Sequence, residues 1–458
     1  MTMTIAARMT SLLKDPSQGY VLVTGLGVSG VSIARFLKSK GLDVVATDRN
    51  PLSFKAAEKL ELLGVRCEVG AHRASTFENA KLVVTSPGIP LDMEFFKRAR
   101  AKGVLVTGEL DLFSLFLTKP LVAITGTNGK TTVTTLVGEM LKASGLDVFT
   151  GGNIGTPLVE FLESGSRAHV VVAELSSFQL DSANDFSPDV GVLLNIAQDH
   201  MDRYPDFDAY AESKWSLFKN MSPKAIAVVN RDITGLAERK KNLKPGLLTF
   251  GRENGPGASI SGDLISINTE TFRHVIDLSS ARLKGFHNVE NLAAAALAAL
   301  AAGGNIKGIE SVVKGFEGLP HRTQYAGAVE GVNYYNDSKG TNPHAVVAAL
   351  KGFDRVILIL GGRSKGTDFS CLIPILKERG KAVIALGEAK EEIETALRGS
   401  CKIMKVDSMG EAVLAARTLA VKGDTVLLSP GCASFDMYEN YAQRGNDFMD
   451  HVKKLNRA

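Results

Sequence analysis

Cysteine is scarce in this chain: four residues in 458, with Cys67, Cys371, Cys401 and Cys432 too far apart to form a CxxC pair. That spacing offers neither a zinc knuckle nor a dense disulfide framework, and a reducing cytoplasm is the expected compartment. Charge of one sign is missing too. The 53 Lys and Arg against 49 Asp and Glu leave a formal +4, too balanced for nucleic-acid binding through a continuous basic face. Long hydrophobic runs are absent as well: the first twenty residues carry Lys14, Asp15 and Pro16 but no apolar signal-peptide core. The alanine-rich stretch Leu292–Ala302 falls short of the roughly 20 residues that span a bilayer. A soluble protein with no membrane or nucleic-acid partner is expected, and a monomer.

Glycine, by contrast, is abundant, at 45 residues, or about a tenth against a usual share of roughly 7%. It clusters in short groups behind apolar runs. Those runs alternate with helical patterns along nearly the whole chain, which predicts an α/β protein of parallel sheets covered by helices on both faces. At roughly 150 residues per domain the length predicts about three domains, drawn at 1–109, 110–317 and 318–458. Strands are expected at Tyr20–Thr24, Asp43–Thr47 and Leu82–Thr85, at Leu121–Thr125, Val170–Ala173, Val190–Asn195 and Ala225–Asn230, and at Val356–Leu360, Ala382–Leu386 and Thr425–Ser429. The glycine-rich stretch Gly251–Gly262 is expected to be a surface hairpin region.

Three constellations carry chemistry. Gly25, Gly27 and Gly30 spell GxGxxG behind the apolar run YVLVT, with Asp48 at the end of the next predicted strand. Such glycines let backbone amides approach a diphosphate at a helix amino terminus while the acid accepts from ribose hydroxyls, so the first domain is expected to be Rossmann-like. NAD is the obvious ligand, but the same physics serves any nucleoside diphosphate. Ser86, Pro87 and Gly88 are expected to face the same crevice.

Gly126, Thr127, Asn128, Gly129, Lys130, Thr131 and Thr132 spell GTNGKTT between the run LVAIT and a predicted helix, Val133–Lys142. Loop amides of this kind cradle ATP phosphates, Lys130 offsets their charge and Thr131 offers a hydroxyl to Mg²⁺. The match is to a short P-loop variant, since the generic template puts glycine where this chain has Ile124. VVVAE delivers Glu174 at a strand end, where a second Mg²⁺ ligand is wanted, and DHMDRY places Asp199, His200 and Asp202 behind another apolar run. A dehydrogenase has no use for the second glycine loop, so the pair points to ATP-driven chemistry on a nucleotide-linked substrate.

GTNGKTT, GGNIGTP (Gly151–Pro157), ELSSFQL (Glu174–Leu180), DHMDRY (Asp199–Tyr204), FHNVEN (Phe286–Asn291), LPHR (Leu319–Arg322) and NDSKGTN (Asn336–Asn342) occur in this order and together resemble the Mur ligase family. GLGVSG, DSKGTN and SPGCASFD are most similar to its D-glutamate-adding branch. The resemblance implies a Rossmann-like amino-terminal domain, a central P-loop-type ATP-binding α/β domain and a Rossmann-like carboxy-terminal domain, binding UDP-muramoyl substrate, ATP and amino acid in turn. It implies ATP and Mg²⁺ as cofactors and an ADP-forming amide ligase of cytoplasmic peptidoglycan precursor synthesis.

By the same resemblance Val28, Ser29, Asp48, Arg49, Ser86, Gly88 and Asn153 contact the UDP substrate, although Asp48-Arg49-Asn50 departs from an Asp-Thr-Arg type run. Thr131 and Glu174 serve the nucleotide metal, and His200 with Lys214, as a carbamate, serves a second. Asn288, Asn291, Arg322 and Asp337 hold ATP, with His321 bordering them. Ser338, Lys339, Thr341, Lys365, Ser434 and Tyr441 receive the amino acid. Lys130, His200 and Lys214 are the expected catalytic set. Without the resemblance Lys214 reads as an exposed lysine on an amphipathic helix. Alternatives are an L-alanine-adding relative and, from a different class, an NAD-dependent dehydrogenase.

Overall fold

A computed structural model describes residues 5–14, 19–164, 167–281, 283, 285–364, 366 and 368–455. The chain forms two compact units: one runs to Asn195 and adds Tyr210–Asp277 and Leu292–Val312, the other takes Ile196–Ala209, Leu278–Asn291 and the chain from Val313 onward. Among the described residues no helix is long and apolar enough to cross a membrane.

The first unit holds two sheets. One contains β1 (Val21–Thr24), β2 (Val44–Asp48), β3 (Arg66–Val69), β4 (Leu82–Thr85) and β5 (Leu105–Gly108) in the order β3-β2-β1-β4-β5, with every pair parallel. Helices cover both faces, so strands alternate between two cores instead of between core and water. Val21, Val23 and Val84 pack with Ile33, Phe36 and Leu37, while Leu22 and Val83 pack with Phe77 and Phe96.

The second sheet contains β6 (Leu121–Thr125), β7 (Val148–Gly152), β8 (Val170–Glu174), β9 (Val190–Leu193), β10 (Ile226–Asn230), β11 (Gly246–Gly251), β12 (Gly257–Ser261), β13 (Leu264–Asn268) and β14 (Arg273–Asp277). Its order is β14-β13-β12-β11-β10-β9-β6-β8-β7. The expected hairpin at Gly251–Gly262 is corrected here. The stretch holds the end of β11 and the whole of β12, which pair in parallel, and the hairpin begins only at its far end, where β12 turns antiparallel to β13. Alternation explains it: Ala258, Ile260, Ile265 and Ile267 are buried, so β12 and β13 present one apolar face together.

The second unit is built on β15 (Gln324–Val329), β16 (Val332–Asn336), β17 (Val356–Gly361), β18 (Gly380–Leu386), β19 (Lys402–Lys405) and β20 (Thr425–Leu428), ordered β15-β16-β20-β17-β18-β19. Only β15 runs antiparallel to its neighbour. In all three sheets the glycine-bearing loops follow the carboxyl ends of parallel strands, where ligands bind in open α/β sheets.

Candidate functional site

The first glycine loop joins β1 to the helix Val28–Ser39. A Cβ on Gly30 would lie 1.7 Å from the Gly25 carbonyl oxygen, so the helix starts this close to the strand only with glycine there. Asp48 fixes the loop, its Oδ2 accepting from the Leu26 N–H at 2.7 Å and its Oδ1 from Asn50 N–H. Ser86 Oγ donates to the Gly25 carbonyl at 3.0 Å. Gly25, Asp48, Arg49, Asn50, His72 and Met93 are among the residues lining a cavity of about 500 Å³. Val28 is exposed and Ser29 half-buried at the helix start.

Sequence reasoning missed His72. Its Nδ1 lies 2.9 Å from Thr47 Oγ1, and its ring meets Phe77 and Phe95 edge-on. Burial, then the Arg49 guanidinium, pushes it below the ordinary imidazole value, which leaves it neutral at pH 7.

The second glycine loop joins β6 to the helix Lys130–Ala143, with Gly129 at φ 85° as its cap, a conformation that favours glycine. Asn195 staples it: Thr127 N–H donates to the Asn195 carbonyl, Asn128 N–H to Asn195 Oδ1 at 2.8 Å, and Asn195 Nδ2 to the Asn128 carbonyl. Lys130 Nζ donates to the carbonyls of Gly126 and Thr127, each at 2.9 Å. Lys214 Nζ donates to the same Gly126 carbonyl at 3.0 Å and lies 4.5 Å from the Tyr210 ring centroid. Two ammonium groups therefore converge on one carbonyl. Lys214 is only 2% exposed, so the structure places it beside the glycine loop and not on a solvated helix face.

Tyr210, also missed, has its hydroxyl 3.1 Å from Thr127 Oγ1. At the end of β8, Glu174 Oε1 accepts from Asn153 Nδ2 at 3.0 Å. Glu174 Oε2 and Thr131 Oγ1 are buried without a hydrogen-bond partner.

In the second unit Asp199 Oδ1 accepts from the His200 N–H, and its Oδ2 from Asn342 Nδ2 at 3.2 Å. His200 and His321 adopt left-handed backbone, φ 57° and 62°, a strain of order 1 kcal/mol that persists where surroundings over-determine it. For His321 the surroundings are Gln324 Oε1, which accepts from its N–H, and Asn336 Nδ2, 3.0 Å from its Nδ1. Asn288 and Asn291 lie in the first turns of the helix Phe286–Ala301. Their neighbour His287 is pushed down to about 4, by burial first and then by Lys351.

Asp337 is engaged on both oxygens, by Thr323 N–H at 3.1 Å and Ser429 Oγ at 2.7 Å. Burial pushes it up to about 6 against those hydrogen bonds and the charge of Arg322. Lys339 Nζ sits 3.8 Å from the Tyr441 ring centroid, and Ser338 Oγ donates to the Tyr441 carbonyl. Thr341 is half-buried and Ser434 buried. Lys365 lies outside the described residues.

Sequence reasoning also missed Arg444, 2% exposed. Its guanidinium donates to Ser338 Oγ and to the carbonyls of Ser338, Gly361, Cys432 and Ala433. One side chain thus ties together the loops behind β16, β17 and β20.

Family models match three stretches: "Mur ligase MurD-like, N-terminal domain" at residues 19–108, "Mur ligase middle domain" at 124–299, and "Mur ligase, glutamate ligase domain" at 321–432. The chain belongs to the Mur ligase family. Among curated relatives, a UDP-N-acetylmuramoylalanine--D-glutamate ligase of Desulfosudis oleivorans is 47% identical over 95% of this chain and 96% of its own length. One of the same name from Pelotomaculum thermopropionicum is 41% identical over 98% and 100%. Among solved structures, MurF from Acinetobacter baumannii shares the fold with a TM-score of 0.63 at 16% identity over 96% and 98% of the two chains. MurF from Thermotoga maritima in complex with ADP scores 0.59 at 19% over 82% and 96%. Mur ligases are ATP-using enzymes, and this Mur ligase is an α/β protein of that fold.

The position of Arg444 in this Mur ligase gives a first prediction. Arg444→Lys keeps the charge but loses the planar fork, taking a donor from several buried carbonyls at about 1–3 kcal/mol for each one left unpaired, while the Ala433 carbonyl still accepts from the Arg363 N–H. A clear fall in melting temperature is expected, measurable on the purified variant. An unchanged melting temperature contradicts the clamp.

Proposed function

We propose that this Mur ligase joins D-glutamate to UDP-N-acetylmuramoyl-L-alanine, splitting ATP to ADP and phosphate, in cytoplasmic peptidoglycan precursor synthesis. The 47% identity over 95% of the chain to a ligase of that name carries the reading. The glycine loop at Gly25–Gly30 then holds the UDP diphosphate, with Arg49, Ser86, Gly88 and Asn153 as further contacts and Asp48 bracing the loop. The domains are 1–109 for the UDP substrate, 110–317 for ATP and 318–458 for glutamate.

A carboxylate oxygen of the alanyl group attacks the γ phosphorus, the bond to the β-phosphate oxygen breaks, and ADP leaves an acyl phosphate. The glutamate amine then attacks the acyl carbon, loses a proton, and phosphate departs with the former carboxylate oxygen. Both steps concentrate negative charge. Lys130, held at the loop by two carbonyls, meets that charge on the γ phosphate, the electrostatic contribution that usually dominates phosphoryl transfer.

Thr131 and Glu174 fit Mg²⁺, because each has a buried oxygen with no partner in the protein. Mg²⁺ commonly takes one or two protein oxygens and fills the rest of its shell with water and phosphate; among the described residues no group of three or more His, Cys, Asp or Glu is placed to hold an ion. When bound, the ion neutralises phosphate charge. Lys214, buried beside the glycine loop, would as a carbamate serve a second ion.

Thr341, Ser434, Tyr441 and Lys365 receive glutamate, whose two carboxylates suit a lysine and hydroxyls. Lys365→Ala should raise the glutamate KM about tenfold, the size of one lost charge-assisted hydrogen bond, and leave the ATP KM nearly unchanged. The opposite ranking puts Lys365 at the nucleotide. The activity itself is tested by ADP release against a panel of UDP-muramoyl substrates and amino acids. Release only with UDP-muramoyl-alanine and D-glutamate together supports the assignment, whereas release with UDP-muramate and L-alanine moves it to the L-alanine-adding relative.

A further inference from the structure

Glu109 is a buried acid to which the reaction above gives no task. It opens the helix Glu109–Phe116 directly behind β5 and is 1% exposed. Its carboxyl faces the Ser29 hydroxyl of the first glycine loop, the Gln179 side chain, and the backbone N–H groups of Leu158 and Val159. Neither oxygen reaches any of them at full hydrogen-bond geometry. The surroundings are rigid. A Cβ on Gly108, one residue earlier, would come within 2.1 Å of Ser182 Oγ, and Asp111, two residues later, accepts from Thr107 Oγ1 and from the backbone of Asn184 and Asp185. Gln179 is oriented as well: its Oε1 accepts from Ser176 N–H and Oγ, which leaves its amide nitrogen for Glu109. Glu109 therefore stands where the loop assigned to the diphosphate meets the segment following β8.

We propose that Glu109 is a positioning residue of the UDP-substrate site, joining Ser29 of the first glycine loop to Gln179 of the central sheet in the arrangement that accepts a diphosphate. The inference rests on the assignment of that loop to UDP. A neutral carboxyl can donate one hydrogen bond and accept others at this junction. A carboxylate there would put an unscreened negative charge beside the incoming diphosphate. Burial already pushes Glu109 above the ordinary carboxylate range, opposed only by its polar neighbours.

The charged groups on the packed elements are Arg8 and Lys14 on Ile5–Lys14, Arg35 and Lys38 on Val28–Ser39, Asp111 on its own helix, Glu160 and Glu163 on Leu158–Glu163, and Asp181 on Ser177–Asp181. Arg8 donates to the Gly103 carbonyl, and Arg35 pairs with Glu163 at 2.6 Å and Glu160 at 3.7 Å. None of the eight is a main influence on Glu109. A diphosphate arriving at Ser29 raises its proton affinity further, so binding takes up a proton wherever the free protein has begun to lose it.

Calorimetric titration of the full chain with UDP-N-acetylmuramoyl-L-alanine between pH 6 and 9, in two buffers of different ionisation heat, tests this. Wild-type affinity should be flat at low pH and then fall by up to about tenfold per pH unit above the Glu109 midpoint, with uptake approaching one proton per ligand. Glu109→Gln should keep the pH 6 affinity and lose both the slope and the uptake, with the KM for ATP unchanged; subtracting the two profiles cancels ionisation of the uracil itself. A flat wild-type profile together with a Glu109→Ala variant that binds the UDP substrate as tightly as wild type at pH 6 overturns the proposal. An equal slope in Glu109→Gln overturns it too. A wild type that binds no UDP substrate at any pH overturns the parent assignment instead.

Discussion

Lys130→Ala is expected to keep the fold and the affinity for UDP-muramoyl-alanine but to lose at least about a hundredfold in turnover, because one preorganised charge contact to a developing phosphate oxyanion typically contributes that much. The structure says why the fold survives. Lys130 is half-buried, and of the two carbonyls it holds, Gly126 also accepts from Lys214. The loop is further fixed by three hydrogen bonds to Asn195 that do not involve Lys130. Single-turnover phosphate release, thermal melting and equilibrium binding of the UDP substrate read the three parts separately. Near-native turnover would remove GTNGKTT from the ATP site.

Lys214→Ala carries the second large effect. A carbamate forms when a neutral lysine amine captures CO₂ and loses a proton, reversing the charge at that position, and a nearby cation favours the product. On this reading Lys214→Ala is folded and at least about a hundredfold less active, and formate or acetate restores part of the activity by supplying the missing carboxylate. A lysine that only props the Gly126 carbonyl predicts the loss without the rescue. Activity of the folded variant across a formate series decides between them, and an absent response returns Lys214 to the structural role.

The strands that anchor both glycine loops were legible because β1, β6 and β8 are buried along their length, so their apolar runs stand out. Edge strands were not. Arg66–Val69 and Lys402–Lys405 each have one neighbouring strand and carry charges that a central strand would exclude. The motif residues were legible where chemistry and local turn geometry coincide, as at Gly25–Gly30 and Gly126–Thr132.

Residues that act across long sequence separations left no local signal. Lys214 reaches a carbonyl 88 positions away, Asn195 one 67 away, and Arg444 a serine 106 away. Each looks ordinary in its own segment: Arg444 lies in a strongly amphipathic helix, where arginine normally faces water. Glu109 was invisible for the same reason, since its partners come from three other helices.

The origin of the phosphate oxygen is the most direct test of the central claim. With UDP-muramoyl-alanine labelled with ¹⁸O in its alanyl carboxylate, and ATP and D-glutamate unlabelled, attack of that carboxylate on the γ phosphate followed by amine displacement must leave one ¹⁸O in each released phosphate. Mass spectrometry of the phosphate after a single turnover should show that one-oxygen transfer, only when D-glutamate and the UDP substrate are both present. Phosphate that carries no label, its fourth oxygen coming from water, would contradict the ligase mechanism and leave a hydrolase.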